Sequence, residues 1–168
     1  MSAPEDLKDL YVEELKDLWS ANDQMQRTVK KLVGKASDAQ LKDLLSRSVE
    51  GIGGHTGALK QLIEAQAEKV SKEHCKGMEG LVEEATKHTT GEEAPKKGPV
   101  LDAQIIAQYQ RMSHYGLAGF GTAAAYAKAL GLKSDEKTLK RMTKEIYSAD
   151  EYATRMAETS VNIEAKSG

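Results

Sequence analysis

The sequence predicts an all-α protein, arranged as an antiparallel bundle of four long helices with a long crossover between the second and the third. Apolar residues recur every three or four positions through nearly the whole chain, which places them on one face of successive helices. Turn-forming residues interrupt this spacing at only a few places. No stretch of useful length alternates apolar and polar residues in the manner of a β-strand.

The first helix is predicted over about residues 3–33. Ser2 and Glu5 have the spacing of a capping box, in which two side chains satisfy free backbone N–H groups at a helix start. The apolar face continues from there until Gly34, a residue type that commonly ends helices. Because the next helix starts only a few residues later, the first two helices are expected to be antiparallel neighbours.

The second helix is predicted over about residues 38–70, opened by a capping box of Ser37 and Gln40. It contains EGIGGHTG, residues 50–57, whose glycines resemble a phosphate-binding loop. The apolar spacing passes through this stretch without a shift of phase, so we interpret it as helix. Each interior glycine costs roughly 0.8–1 kcal/mol relative to alanine, and close approach of a neighbouring helix is the simplest compensation.

The crossover that follows contains a short amphipathic helix, predicted over about residues 74–88, and then an irregular surface loop. The third long helix is predicted over about residues 99–130. Pro99 suits its first turn, since proline lacks an N–H that would be unpaired there. Gly131 is expected to cap its C-terminal end.

The fourth long helix is predicted over about residues 135–163, with Ser134 as its N-cap. Two long hairpins joined by one crossover have the ferritin-like connection. We therefore expect residues 1–168 to form a single ferritin-like domain, long enough to bury a substantial core.

Composition excludes several classes of function. The formal net charge of −2 provides no basic surface for nucleic acid or an anionic membrane. The one cysteine, Cys75, cannot form an internal disulfide, which favours a reducing compartment. Neither a signal-peptide pattern nor a membrane-spanning apolar stretch is present. We expect a cytoplasmic protein without nucleic-acid or membrane partners.

The apolar faces of all four long helices become polar or very small at about half their length. The interrupting residues are Asn22, Ser48, Gly51, His55, Ser113, Gly116, Glu145 and Asp150. In an antiparallel bundle these positions face one central region, where di-metal proteins place glutamates and Glu-x-x-His motifs. Such a motif does not occur at the required places, so the set of possible ligands is short.

Few candidate metal ligands therefore remain, and they are Glu50, His55, His114, Glu145 and Asp150. Glu50 and His55 are expected to lie about 140° apart around their helix, which separates them. We expect no metal, no other cofactor and no catalytic residue. The alternative is that these five residues hold one or two metal ions in an unusual arrangement.

A purely structural interpretation of the same residues is that their polar groups form hydrogen bonds and ion pairs within the protein or face solvent. Asn22 would then be a hydrogen-bonded core amide. His55 would bond to Asn22, Ser48 or a backbone carbonyl. Glu145 and Asp150 would face solvent or form ion pairs at a helix edge.

Four segments of the sequence resemble a known family: DLYVEELKDLWSANDQM, CKGMEGLVEEA, GPVLDAQIIAQYQRMSHYGLAGFGT and AKALGL. They are similar to the YciE/YciF family of bacterial stress-associated proteins, over roughly residues 5–158. The resemblance implies a ferritin-like fold and a relationship to di-iron bundle proteins.

The resemblance also implies acidic residues at the inward positions, and this chain departs from that pattern. Glu50, Glu145 and Asp150 match it, whereas the departures are Asn22, Gly51, Ser113, Gly116 and Ile146. Together they remove several negative charges from one place. A bundle without metal requires that loss, because buried carboxylates without a cation are costly.

These observations support three hypotheses of function. The first is a stress-associated protein with a degenerate di-metal site, a structural or interaction role, no catalysis and a homodimeric state, whose protein partner the sequence does not identify. The second is a di-iron-type protein with a reduced ligand set, for which iron would be the cofactor. The third is that the small residues at mid-height leave room for a small apolar ligand.

Overall fold

The computed structural model describes residues 3–167 and contains no strand among them. Its helices are α1 (Leu7–Lys35), α2 (Ala39–Ala65), α3 (Lys76–Thr90), α4 (Pro99–Ala129), α5 (Lys133–Met156), a π-helical turn (Ala157–Val161) and α6 (Asn162–Lys166). The predicted all-α class is confirmed. Within the same residues, every helix is too short or too polar to cross a bilayer.

The helix starts differ from the predicted ones because aspartates serve as N-caps. α1 begins at Leu7, where Asp6 accepts a hydrogen bond from a backbone N–H one turn on at 2.9 Å. α2 is capped in the same way by Asp38 and not by Ser37. The first residue of the other predicted capping box, Ser2, lies outside the described residues.

Two further boundaries correct the sequence predictions. α2 ends at Ala65, because Ala67 takes a left-handed backbone conformation with φ 57° that stops the helix. Val70, the last residue of the predicted second helix, lies beyond this end and is 42% exposed. The predicted cap at Ser134 is wrong, since Leu132 occupies the N-cap position of α5.

The predicted start and end of the third long helix agree with α4, which runs from Pro99 to Ala129. Pro99 lies in its first turn. Gly131 follows its last turn with φ 73°, and the N–H of Leu132 donates back to the carbonyl of Ala127 at 2.9 Å. This left-handed residue reverses the chain into α5.

The glycine-rich stretch 50–57 is helical, as predicted, and lies in the interior of α2. The expected close approach occurs at only one of its glycines. A Cβ added at Gly53 would lie 2.9 Å from the side-chain nitrogen of Gln26, whereas one at Gly51, Gly54 or Gly57 would meet nothing within 4 Å. Most of these glycines therefore border open space.

Hydrogen bonds at the two ends of the structure determine the helix directions. At one end, Asp135 at the start of α5 accepts from Tyr11 at the start of α1 (3.0 Å) and from Gln66 after the end of α2 (3.2 Å). At the other end, Asp102 at the start of α4 contacts the α1–α2 loop. α1 and α5 therefore run in one direction, and α2 and α4 in the other.

α1 packs against α2 and α4, and α5 packs against α4 and α2, while α3 lies across α1 and α4. The buried apolar residues form two clusters, one toward each end. The first includes Tyr11, Leu15, Ile63 and Leu139, and the second includes Val29, Leu41, Leu45 and Ile105. The core is thus interrupted at mid-height.

Asp102 holds the α1–α2 loop onto the start of α4. Its carboxylate is buried and accepts from the backbone N–H of Ser37 at 2.7 Å and of Asp38 at 2.9 Å. Both N–H groups lie between helices and have no intrahelical partner. One side chain therefore satisfies two otherwise unpaired donors.

We expect Asp102→Ala to lower the free energy of unfolding by about 2–4 kcal/mol, because two partly buried N–H groups lose a charged acceptor. Asp102→Asn retains one acceptor oxygen and should lose less. Asp43→Ala, which removes an exposed partner of Arg47, is the control and should change it by less than about 1 kcal/mol. Urea unfolding measures all three, and an Asp102→Ala effect no larger than the control would contradict this role.

Candidate functional site

A cavity of about 500 Å³ lies at mid-height, between the two core clusters. All four long helices contribute to its wall. The polar side chains of the wall include Asn22, Ser48, His55, Tyr109, Ser113 and Glu145. The principal apolar ones are Met25, Ile52, Phe120, Ile146 and Ala149. Exposed residues of α2 and α5 also line it, so the cavity opens between these two helices; they include Asp43, Arg47, Ser148 and Tyr152.

The structure brings together the inward positions at which the sequence departs from the YciE/YciF pattern. All five line this cavity: Asn22, Gly51, Ser113, Gly116 and Ile146. Their small or uncharged side chains leave volume that larger acidic residues would occupy. The candidate metal ligands are arranged differently.

His55 and Glu145 form the one pair of these candidates in the cavity wall. His55 is buried, and its Nε2 lies 2.7 Å from Glu145 Oε2. The other oxygen of Glu145 accepts from Arg141 one turn earlier, also at 2.7 Å. The hydrogen bond from His55, together with that from Arg141, lowers the pKa of Glu145 despite partial desolvation. His55 therefore bonds to Glu145, and not to Asn22, Ser48 or a carbonyl as expected.

His114 and Asp150 form a second pair, which does not line the cavity. His114 Nε2 lies 2.9 Å from Asp150 Oδ2, with the histidine side chain 58% exposed. Asp150 Oδ1 accepts from Gln110 Nε2 at 3.2 Å. As in the first pair, both carboxylate oxygens have protein donors.

The fifth candidate, Glu50, is exposed and lies outside the cavity wall. The five candidates therefore divide into two separate pairs and one surface residue. Nowhere in residues 3–167 do three or more His, Cys, Asp or Glu side chains converge as a metal site requires.

Asn22 has an unpaired polar atom in the middle of the protein. The residue is 7% exposed, and its Nδ2 is buried without a hydrogen-bond partner. The expectation of a hydrogen-bonded core amide is thus wrong for this nitrogen. Buried amide N–H groups rarely lack an acceptor, because leaving one unpaired carries the desolvation cost without compensation.

Tyr109 is a polar member of the wall that the sequence analysis does not single out. Its hydroxyl shares a 2.7 Å hydrogen bond with Ser48 Oγ. Burial raises the pKa of Tyr109, against hydrogen bonds from Ser48 and Ser113 that lower it. The signal in the sequence was the serine on each facing stripe, since a buried hydroxyl needs a partner.

Cys75 lies apart from the cavity and is buried at the N-cap of α3. Its Sγ lies 3.0 Å from the hydroxyl of Tyr115, which in turn donates to Asp17 at 2.8 Å. Burial is the largest cause that raises the pKa of the thiol. A buried, protonated thiol has little nucleophilic character, so its role here is to connect α3 to α1 and α4.

Comparison with known proteins places the chain in a family. Residues 6–166 match the family described as a domain of unknown function, DUF892. The chain is 32% identical over 161 residues to the protein YciF of Escherichia coli strain K12, covering 95% of each.

Two solved structures are similar to this fold. The crystal structure of the E. coli stress protein YciF has a TM-score of 0.87 and 31% identity, over 95% of this chain and 99% of that one. YcfI from Rhodopseudomonas palustris, described as a candidate structural protein, has a TM-score of 0.84 and 26% identity, over 92% and 98%. The chain therefore belongs to the DUF892 family as a homologue of YciF, and the resemblance read from its sequence is confirmed.

Proposed function

We propose that this protein is a ferritin-like member of its family with a degenerate di-metal site, and that it has a structural or interaction role without catalysis. The observation that carries the proposal is the arrangement of the carboxylates. Glu145 and Asp150 are each engaged on both oxygens by protein donors and belong to separate pairs.

The residues present do not fit a di-metal centre. Such a centre requires several anionic oxygens and imidazole nitrogens that converge on each ion. At mid-height this chain offers one His–Glu pair, a shared Ser–Tyr hydrogen bond and the amide of Asn22. Asn22 offers only a neutral amide oxygen as a ligand, which supplies none of the anionic charge that such a centre requires.

The descriptions of two relatives support a structural or stress-associated role. One is named as a stress protein and another as a candidate structural protein. The bundle with a crossover seen in α1, α2, α4 and α5 supports the ferritin-like assignment. A cytoplasmic location and a homodimeric state complete the proposal, and light scattering of the purified protein tests the second.

We expect protein purified from cells supplemented with iron and zinc to contain far less than one metal ion per chain, because no complete ligand set is present. Elemental analysis by mass spectrometry measures the content. His55→Ala, with exposed His74→Ala as its control, distinguishes bound metal from contamination. Near-stoichiometric metal lost only in His55→Ala would contradict the proposal and support a reduced ligand set.

Restoring acidic residues should create ferrous binding. The combined variant Asn22→Glu, Gly51→Glu, Ser113→Glu and Gly116→Glu adds four carboxylates around one cavity. Oxygen-free calorimetric titration with ferrous iron measures binding, because such ions require anionic oxygens.

The matched control for that variant carries glutamine at the same four positions and should not bind ferrous iron. Circular dichroism establishes that both variants are helical. A folded glutamate variant without ferrous binding would show that these positions do not surround a former metal centre.

The His55–Glu145 pair should stabilise the fold in a pH-dependent way. The pKa of Glu145 is lowered below its ordinary value of 4.5, so its contribution is fully present above about pH 4.5 and is lost as pH falls through the lowered value. Glu145→Gln should therefore reduce the Tm at neutral pH and have a diminishing effect toward pH 3.

Thermal unfolding across this range measures the difference. Glu151→Gln, at an exposed position of the same helix, is the control and should have little effect at any pH. A Glu145→Gln effect that is independent of pH would contradict an electrostatic role for the pair.

A further inference from the structure

We propose that the mid-height cavity binds a neutral, largely apolar small molecule whose O–H group donates a hydrogen bond to Nδ1 of His55. This inference goes beyond the proposed function, since a metal-free bundle does not require a ligand. It rests on the volume of the cavity, the accessible ring nitrogen in its wall and the pairing of the charged groups around it.

The volume is too large for a packing defect. Protein interiors rarely contain voids larger than a water molecule, and small-molecule sites typically occupy about 300–1,000 Å³. At about 500 Å³ the cavity lies within that range. Side chains of α1, α2, α4 and α5 surround it, and the opening between α2 and α5 provides access.

His55 provides the specific contact. Its Nε2 lies 2.7 Å from Glu145, whereas its other ring nitrogen, Nδ1, has no partner in the described part of the chain. Within residues 3–167, Asn22 Nδ2 is the only enclosed side-chain nitrogen or oxygen atom without a partner, so Nδ1 of His55 is not enclosed. His55 lines the cavity and 11% of its side chain is accessible, which places this nitrogen at the cavity surface.

Glu145 determines what the accessible nitrogen can bind. A carboxylate only accepts hydrogen bonds, so the proton of the neutral imidazole is held on Nε2, between the ring and Glu145. Nδ1 then carries a lone pair and is an acceptor. The bond to the carboxylate also polarises the ring, which strengthens Nδ1 as an acceptor. The ligand must therefore supply the donor.

A second accessible acceptor indicates the same class of ligand. Asn22 lines the cavity, and its Oδ1 has no partner in the described residues and is not enclosed. The hydroxyls of Ser48 and Ser113 bond to Tyr109. A ligand that offers only acceptors, such as a simple ketone or ether, would displace water from these atoms without replacing its hydrogen bonds.

The charges around the cavity indicate that the ligand is neutral. Glu145 is bonded to both His55 and Arg141. Arg47 at the rim is paired with Asp43 at 3.0 Å. A charged ligand would therefore lose its hydration without gaining a free counter-charge.

The remaining wall favours an apolar body. Met25, Ile52, Phe120 and Ile146 present hydrocarbon and aromatic surface to the cavity. The ring of Phe120 makes an edge contact with His55, their centroids 5.7 Å apart, which fixes the orientation of the imidazole. A phenol or a naphthol combines an aromatic body with the required O–H group.

The first test uses two fluorescent probes that share one ring system: 2-naphthol, and 2-methoxynaphthalene, which lacks the O–H group. His55→Phe keeps an aromatic ring and removes the acceptor. We expect its affinity for 2-naphthol to fall about tenfold, as for the loss of one buried hydrogen bond. Its affinity for the ether should stay within about twofold of wild type. His74→Phe, at an exposed position, is the control and should bind both as wild type does.

A second measurement reports the contact in the wild-type protein. The chain has four histidines, so ¹⁵N NMR of histidine-labelled protein resolves few signals. Bound 2-naphthol should move the Nδ1 signal of His55 upfield, because its lone pair then accepts a proton donor, whereas the ether should not. Replacing the other three histidines by glutamine, one at a time, identifies that signal.

The third test fills the cavity. A Cβ at Gly116 would lie 3.8 Å from Ile146 and 3.9 Å from Phe120, so a larger side chain there enters the cavity. Gly116→Leu should abolish binding of both probes. Gly121→Leu, on the same helix where a Cβ meets nothing within 4 Å, is the control and should bind both as wild type does.

Circular dichroism verifies that each variant folds. Gly116→Ala replaces Gly116→Leu if the larger side chain prevents folding, and its added methyl group should weaken both probes. If His55→Phe does not fold, the Nδ1 signal of the wild type decides the contact.

Four results would each overturn the inference. They are that wild type binds neither probe, that His55→Phe affects both probes equally, that bound 2-naphthol leaves the Nδ1 signal of His55 unchanged, or that Gly116 variants bind as tightly as Gly121→Leu. None of these depends on metal content, so the proposed function is tested separately.

Discussion

The structure depends on one constraint, which is that its four long helices cannot form a continuous apolar core. At mid-height they present Asn22, Ser48, His55 and Ser113 inward, together with glycines that have no side chain. Apolar residues close the bundle above and below this level in two clusters. A cavity lies between those clusters because the short polar side chains and the glycines at mid-height do not fill the space between the four helices.

Each polar group at this level must find a partner, and the solutions are local pairs. Ser48 bonds to Tyr109, and His55 bonds to a glutamate that Arg141 also engages. Such pairs satisfy buried groups without a cation, which a set of converging carboxylates could not do. Asn22 is the exception, because no acceptor on the neighbouring helices reaches its Nδ2.

Because the core is interrupted, contacts at the two ends of the bundle contribute more to holding the helices together. There, single aspartates connect elements that are distant in sequence. Asp135 accepts from residues of α1 and from the end of α2, and Asp102 accepts from two backbone N–H groups of the α1–α2 loop. These contacts hold four helices in fixed directions around a cavity, and so preserve it as a site.

The sequence by itself determined the helical class, the helical nature of the glycine-rich stretch and the family. Apolar periodicity and local motifs depend only on residues that are close together in the sequence. It also placed Asn22, Gly51, Ser113 and Gly116 at a common level. Only the tertiary structure decided that His55 pairs with Glu145, that Glu50 points away into solvent and that Asn22 Nδ2 lacks a partner. The reason is physical: helix periodicity fixes which face a residue is on, whereas hydrogen-bond partners depend on the rotation and separation of neighbouring helices, which arise only when all four pack together.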